Sequence, residues 1–210
     1  AFTSANIPKI LALDPDLVLT FSDLQADIVA ELVKHGVAVH AFNQRDIAGI
    51  LAMIRTVGAL VGASDKSASL ADALAERLER VRASCRRSDR PRVYFEEWDD
   101  PLIAGIGWVS ELIEIAGGVD VFAALRSQRA ALGRIVDPDR VVAAQPDVIL
   151  ASWCGKKVRP ERIASRPGWS AIPAVANGRV HEIKSPLILQ PGPAALTDGL
   201  NAIVAALRKA

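Results

Sequence analysis

Ile10-Leu-Ala-Leu-Asp-Pro-Asp-Leu-Val-Leu19 returns, little changed, as Val141-Val-Ala-Ala-Gln-Pro-Asp-Val-Ile-Leu150. Each copy reads as the end of a helix, a Pro-Asp turn and an apolar run suited to a buried parallel strand. Phe21-Ser-Asp follows the first copy and Ser152-Trp-Cys the second, so each places an aromatic at the carboxyl end of a strand. In open α/β sheets ligands bind outside those ends. The repeat therefore proposes two similar lobes facing one cleft.

Around the first copy, residues 17–21 and 37–42 read as strands and 25–35 as a helix stopped by Gly36, while Asn6 caps a short helix that runs to residue 13. This is one βαβ unit, and two strands rarely make a stable lobe alone. Residues 46–61 carry Ile47, Ile50, Leu51, Ile54, Val57 and Leu60 at the spacing of one buried helical stripe. Gly62-Ala-Ser64 breaks the pattern. Residues 65–87 then set Leu70, Leu74, Leu78 and Val81 on one face of a helix roughly 35 Å long. A helix of that length carries the chain from one lobe to the other.

After Pro91, strands at 93–96, 148–152 and 179–183 alternate with helices at 103–116, 139–144 and 193–208, with a helical turn at 160–165. That rhythm implies a largely parallel sheet with helices on both sides. The expectation is an α/β fold of two Rossmann-like lobes with mainly parallel sheets, joined by a long backbone helix. Residues 1–45 form a remnant of the first lobe that lacks its opening strands, 46–90 a helical segment, and 91–210 the second lobe.

Twenty-five Lys and Arg balance 24 Asp and Glu, and half of the 210 residues are hydrophobic. The basic residues read as dispersed apart from Arg86-Arg87 and Lys156-Lys157, both taken as solvated faces, which excludes nucleic acid as a partner. Cys85 and Cys154 form no C-x-x-C pair, so a structural zinc site is not expected. A long-range disulfide stays open, although Cys85 falls in a helical pattern that suits a small buried residue. The chain begins Ala1-Phe-Thr-Ser without a leader pattern, and no run reaches the length of a membrane span.

Gly105-Ile-Gly107-Trp lacks the third glycine of a dinucleotide fingerprint and sits too far beyond its strand. Glu96-Glu-Trp-Asp-Asp100 reads as an acidic loop after a strand, where carboxylates could bind a hard cation or serve as acid and base. His35, His40 and His181 have no second histidine at ligand spacing, and His40 and His181 occupy matching places after each copy of the repeat. Cys154 beside Lys156 and Lys157 has the makings of a nucleophile, but no positioned base can be named for it. Trp108 falls in register with Leu112 and Ile115 as a core residue, and Trp169 covers the sheet edge. Phe21, Trp98 and Trp153 remain as ligand contacts.

Taken in order, the Pro-Asp segment, the long helix, Val93-Tyr-Phe-Glu-Glu-Trp-Asp-Asp-Pro-Leu102, Glu111-Leu-Ile-Glu-Ile-Ala-Gly-Gly118, Gly168-Trp and Asn177-Gly-Arg-Val180 resemble the substrate-binding proteins of ABC importers with a helical backbone. Within them the chain is most similar to the cobalamin-binding branch, from Phe2 onward. The resemblance implies capture of a corrinoid between the lobes and delivery to an inner-membrane permease, in the periplasm or from a lipid-anchored position. It implies no catalysis, no metal and no cofactor besides the transported ligand.

Carried over by position, Phe21, Ser22 and Asp23 of the first lobe and Trp98, Asp99, Trp153 and Cys154 of the second line the ligand site. Asp27 docks on the permease. The second docking carboxylate falls near Leu189, which is not acidic, with Glu182 or Asp198 as substitutes. Family members carry more chain before Phe2, and the incomplete first lobe leaves room for a homo-oligomer. Alternatives are the same fold binding haem or a ferric siderophore, or an α/β enzyme using Cys154 or the acids between Glu96 and Asp100.

Overall fold

A computed structural model describes residues 4–86 and 88–208. Phe2, where the resemblance starts, and Arg87, the last residue of the predicted long helix, lie outside the described residues. The chain divides into two units, residues 1–44 and 45–210.

In the first unit, the Asn6 side chain accepts from the Lys9 amide and caps α1 (Ile7–Leu11). Asp14, at φ 46°, turns the chain into β1 (Val18–Thr20). A 3₁₀ turn leads to α2 (Ala26–Lys34), Gly36 at φ 79° ends it, and β2 (Val39–Ala41) lies parallel to β1. Leu32 is fully buried, whereas Leu19, Leu24 and Val33 are exposed.

The second unit begins with α3 (Ile47–Leu60), capped by Asp46, and α4 (Ser64–Ser84). Both helices expose part of the stripe expected of them. Leu60 and Leu70 face solvent, and the buried faces are Ile47, Ile50 and Ile54 with Gly58, against Ser67, Ala71, Leu74 and Leu78. The reason is a close crossing of small residues: a Cβ on Gly58 would lie 2.0 Å from the Ser67 Oγ. Helices that meet through Gly and Ser turn toward that point and away from the bulkier Leu60 and Leu70. Cys85 caps the carboxyl end of α4 half-buried rather than lying within the helix.

A mixed sheet follows in the order β4-β3-β6-β7, made of β3 (Arg92–Asp99), β4 (Leu102–Ala104), β6 (Val148–Ala151) and β7 (Val180–Glu182). The short β5 (Val119–Asp120) pairs in parallel with the start of β3. Only β4 runs antiparallel among these strands. Two expectations are corrected here. The acidic run is the far end of β3, with a register shift between Glu96 and Trp98, and not a loop. Residues 102–104 belong to β4, and the helix α5 starts later, at Gly107–Ile115. The Glu97 carboxylate accepts the Ile106 amide at 3.0 Å and marks that start.

The remaining helices are α6 (Pro138–Ala144), α7 (Pro160–Ala164), α8 (Pro173–Ala176), α9 (Ser185–Ile188) and α10 (Leu200–Arg208). A π-helical turn, Ala195–Gly199, precedes α10, where one unbroken helix was expected. Gly199 permits the close approach: a Cβ there would meet the Leu187 carbonyl oxygen at 2.5 Å.

Strand alternation sorts the core into two layers. Val93, Phe95, Val148 and Leu150 face α3, α4, α5 and α10, while Tyr94, Ile149 and Ala151 face a second layer containing Trp153 and Trp169. Both faces of β3 and β6 are thus covered, which is why those strands read as continuous apolar runs.

The repeat holds in register. Asp14 and Gln145, the residues before the two Pro-Asp turns, both take left-handed φ (46° and 42°). Leu19 pairs with His40, and its counterpart Leu150 pairs with His181. The aromatics after the strands are not equivalent, however. Phe21 aligns with Ser152 and Trp153 with Ser22, one residue out of step, and all four lie beyond the strands, which end at Thr20 and Ala151.

Candidate functional site

The carboxyl ends of β3 and β6 bring Trp98, Asp99 and Trp153 of the expected set together, and add a residue that was read as solvated. Lys156 forms an ion pair with Asp99, and its ammonium lies 4.1 Å from the Trp98 ring centroid and 5.2 Å from that of Trp153. Gly155, at φ 78°, makes the turn that returns Lys156 over the indoles. The Trp98 ring is half-buried, and its Nε1 donates to the Asp100 carbonyl at 2.9 Å. One ring is thereby fixed from the edge by a hydrogen bond and from the face by a cation. Trp153 is only 2% exposed, packs in the second core layer and donates from Nε1 to Glu96 at 3.1 Å.

The carboxylates beneath this ledge are already engaged. Glu96 is fully buried and receives Arg166 through two contacts of 2.5 and 3.0 Å. Burial pushes its carboxyl above the ordinary range, against the pull of Arg166 and Trp153. Glu97 receives Arg134 at 2.6 and 3.0 Å, and Arg134 also donates to the Ala104 carbonyl. Tyr94, fully buried, has its hydroxyl raised well above the usual range by burial and by the neighbouring Glu96 charge. These acids therefore act as internal counter-ions.

Arg134 and Arg166 escaped the sequence reading because they lie 37 and 70 residues from their partners. The readable signal was indirect: a strand burying two glutamates must find two cations elsewhere. Among the described residues no group of three or more His, Cys, Asp and Glu is placed to hold a metal ion.

Cys154 is exposed and Cys85 half-buried, and both are free thiols, so the disulfide left open by the sequence is not formed. Trp108 is 3% exposed and donates to the Ile188 carbonyl at 2.9 Å, a core role as expected. Trp169 is fully buried, edge-on to Tyr94 at 6.2 Å and beneath Arg166 at 4.6 Å.

The first unit holds the other expected contacts. The Phe21 amide donates to the Gln25 side chain at 3.0 Å. Ser22 caps the following turn by accepting from the Leu24 amide and donates to Asp23 at 3.0 Å. The Asp23 amide donates to Asn43 at 3.3 Å, and Asp27 stands exposed in the first turn of α2. A carboxylate there is favoured by the helix dipole.

The chain is thus mainly parallel α/β and carries a braced, part-open indole at its strand ends, with Glu96, Glu97 and Asp99 already paired. It belongs to the periplasmic binding protein family, which matches residues 1–187. That is a family of binding proteins, not of enzymes. An ABC transporter substrate-binding lipoprotein of Bacillus subtilis is 24% identical over 197 residues, covering 90% of this chain, and the chain spans 61% of that relative. A vitamin B12-binding protein of Vibrio parahaemolyticus is 26% identical over 211 residues, covering 97% of the chain and 71% of the relative. The fold also matches a periplasmic haem-binding protein of Pseudomonas aeruginosa with a TM-score of 0.81 and 17% identity, covering 99% of this chain and 77% of that one. No helix among the described residues is long and apolar enough to cross a membrane.

Proposed function

We propose that this chain is the solute-binding part of an ABC importer, working outside the cytoplasmic membrane, and that its cargo is cobalamin or a related corrinoid. The observation that carries the reading is the Trp98 ledge, an indole fixed by Asp100 and Lys156 with one part left open at the end of β3. A rigid aromatic surface suits a large flat ligand, because it buries wide apolar area with little rotamer freedom left to lose. Similarity to a vitamin B12-binding protein supports the same cargo.

Trp98, Asp99 and Cys154 would contact the ligand, with Trp153 acting mainly as the support behind the ledge. Haem is the weaker alternative, since Tyr94 is fully buried and cannot reach an iron. For permease docking, Asp27 and Asp198 are the exposed carboxylates of choice, because Glu182 is engaged by Lys184 and the Val158 amide.

Titration with cyanocobalamin, followed by indole fluorescence and visible absorbance, tests the cargo. Saturable quenching with a change in the corrin bands supports it. Unchanged spectra at high micromolar corrinoid would rule it out.

A further inference from the structure

Seven arginines fall between positions 77 and 92, against two carboxylates, Glu79 and Asp89. The basic residues are therefore not dispersed, as composition suggested, but concentrated where α4 ends and β3 begins. Arg82, Cys85, Arg86, Ser88 and Arg90 line a hollow of about 590 Å³ at that end of α4. Arg86 makes no ion pair among the described residues, and Arg90 donates to the Gly118 carbonyl, which holds the side chain without cancelling its charge. Arg82 meets Glu79 at 3.3 Å in an exposed pair, and such pairs are exchanged at little cost. Glu114, the carboxylate lining the hollow, is already taken by Arg126 at 2.5 and 3.3 Å.

The hollow continues into a second space. Arg82 and Glu114 also line a trough of about 830 Å³ between α3, α4 and α5, where Ile47, Leu51, Leu78 and Ile115 are flanked by Glu76, Glu79, Glu111, Arg80 and Arg126. A trough with apolar side chains on its floor and a charged rim, opening on Arg86, which has no ion pair among the described residues, and on Arg82, whose pair with Glu79 is exposed, matches a molecule with a hydrocarbon part and an anionic end. We propose that trough and hollow together bind one anionic amphiphile, a lipid whose phosphate-type headgroup sits among Arg82, Arg86 and Arg90 and whose hydrocarbon runs along α3 and α4. This site is separate from the Trp98 ledge and does not depend on the cargo.

Co-sedimentation with vesicles of phosphatidylcholine, with and without phosphatidylglycerol, tests it. Binding is expected only with phosphatidylglycerol. It should weaken roughly fivefold for each arginine removed in Arg82→Gln/Arg86→Gln. Ala48→Glu, an exposed position on the trough, should weaken it as well, with circular dichroism showing both variants folded. Equal binding to pure phosphatidylcholine, or no loss in either variant, overturns the proposal. Calorimetry with inorganic phosphate is the remaining arm: phosphate binding as tightly as a short-chain phosphatidylglycerol would show a simple anion site and would also overturn it.

Discussion

The Glu96 carboxylate and the Arg166 guanidinium meet through two contacts, 2.5 and 3.0 Å, across 70 residues of sequence. Glu96 is fully buried and the Arg166 side chain is 18% exposed, so neither ion is well solvated. Removing one partner leaves the other charged in a low-dielectric setting, a larger loss than the pair itself is worth. Glu96→Gln should lower unfolding free energy by about 3 kcal/mol. Glu96→Leu/Arg166→Met should recover much of that in urea denaturation. If the double variant is as unstable as the single one, the pair is not the source of the loss.

Outside the Glu96–Arg166 pair, the pH dependence of stability follows from three carboxyls. Burial raises Glu111 and Asp120 above the ordinary range, while the Lys184 ammonium holds Glu182 below it. A raised acid favours the folded state below its unfolded pKa, and that contribution is lost as pH rises through the folded value. Glu182 has the opposite sign: its contribution is present above the unfolded value and disappears as pH falls through the lowered one. With two groups against one, the thermal midpoint should hold or rise from about pH 7 to about pH 5. Asp120→Asn should flatten that slope, since the amide oxygen can still accept from the Phe122 amide. A midpoint that drops steadily over the same interval would contradict the assignment.

Much of this architecture was legible because its signals are local. The two Pro-Asp segments, Gly36 after α2 and the apolar runs of β3 and β6 fix element type within a few residues, and the pairing of His40 and His181 with equivalent leucines follows from the repeat. What stayed hidden depends on tertiary partners. Lys156 looked like a solvated charge because nothing near it in sequence announces Trp98 or Asp99. Residues 103 and 104 looked helical because a short apolar stretch suits either period until an adjacent strand decides. Phe21 and Trp153 looked equivalent because an offset of one residue is invisible in composition, yet it sets each aromatic opposite a serine of the other copy, just past the strand end.

The crossing of α3 on α4 should be intolerant of a single methyl group. A Cβ at Gly58 would approach the Ser67 Oγ and Cβ at 2.0 and 2.1 Å, so the helices must separate to admit it. Gly58→Ala is expected to cost about 2 kcal/mol, even though Ala is the better helix former. Ser67→Gly in the same chain removes both clashing atoms and should restore part of the loss, whereas Ser67→Ala should not. Equilibrium unfolding of the three variants checks this, and a neutral Gly58→Ala would show that the helices are not in close contact there.

Trp98 and Trp153 should separate binding from stability. Trp98 is half-buried at the lip of the strand, whereas Trp153 is 2% exposed and bonded to Glu96. Trp98→Ala should weaken corrinoid binding by about thirtyfold, the loss typical of an aromatic anchor, with only a small change in thermal midpoint. Trp153→Ala should instead destabilise the fold by about 3 kcal/mol, since it opens a cavity and removes a donor from a buried carboxylate. Lys156→Met adds a finer discrimination. It keeps the length of the side chain but removes the charge over both rings and leaves the Asp99 side chain, 6% exposed, without its cation, so it should lower stability as well as shift indole fluorescence. Corrinoid titrations paired with urea melts on the three variants provide the test. Equal binding by Trp98→Ala and the parent protein would remove the ledge from the ligand site, whatever the cargo proves to be.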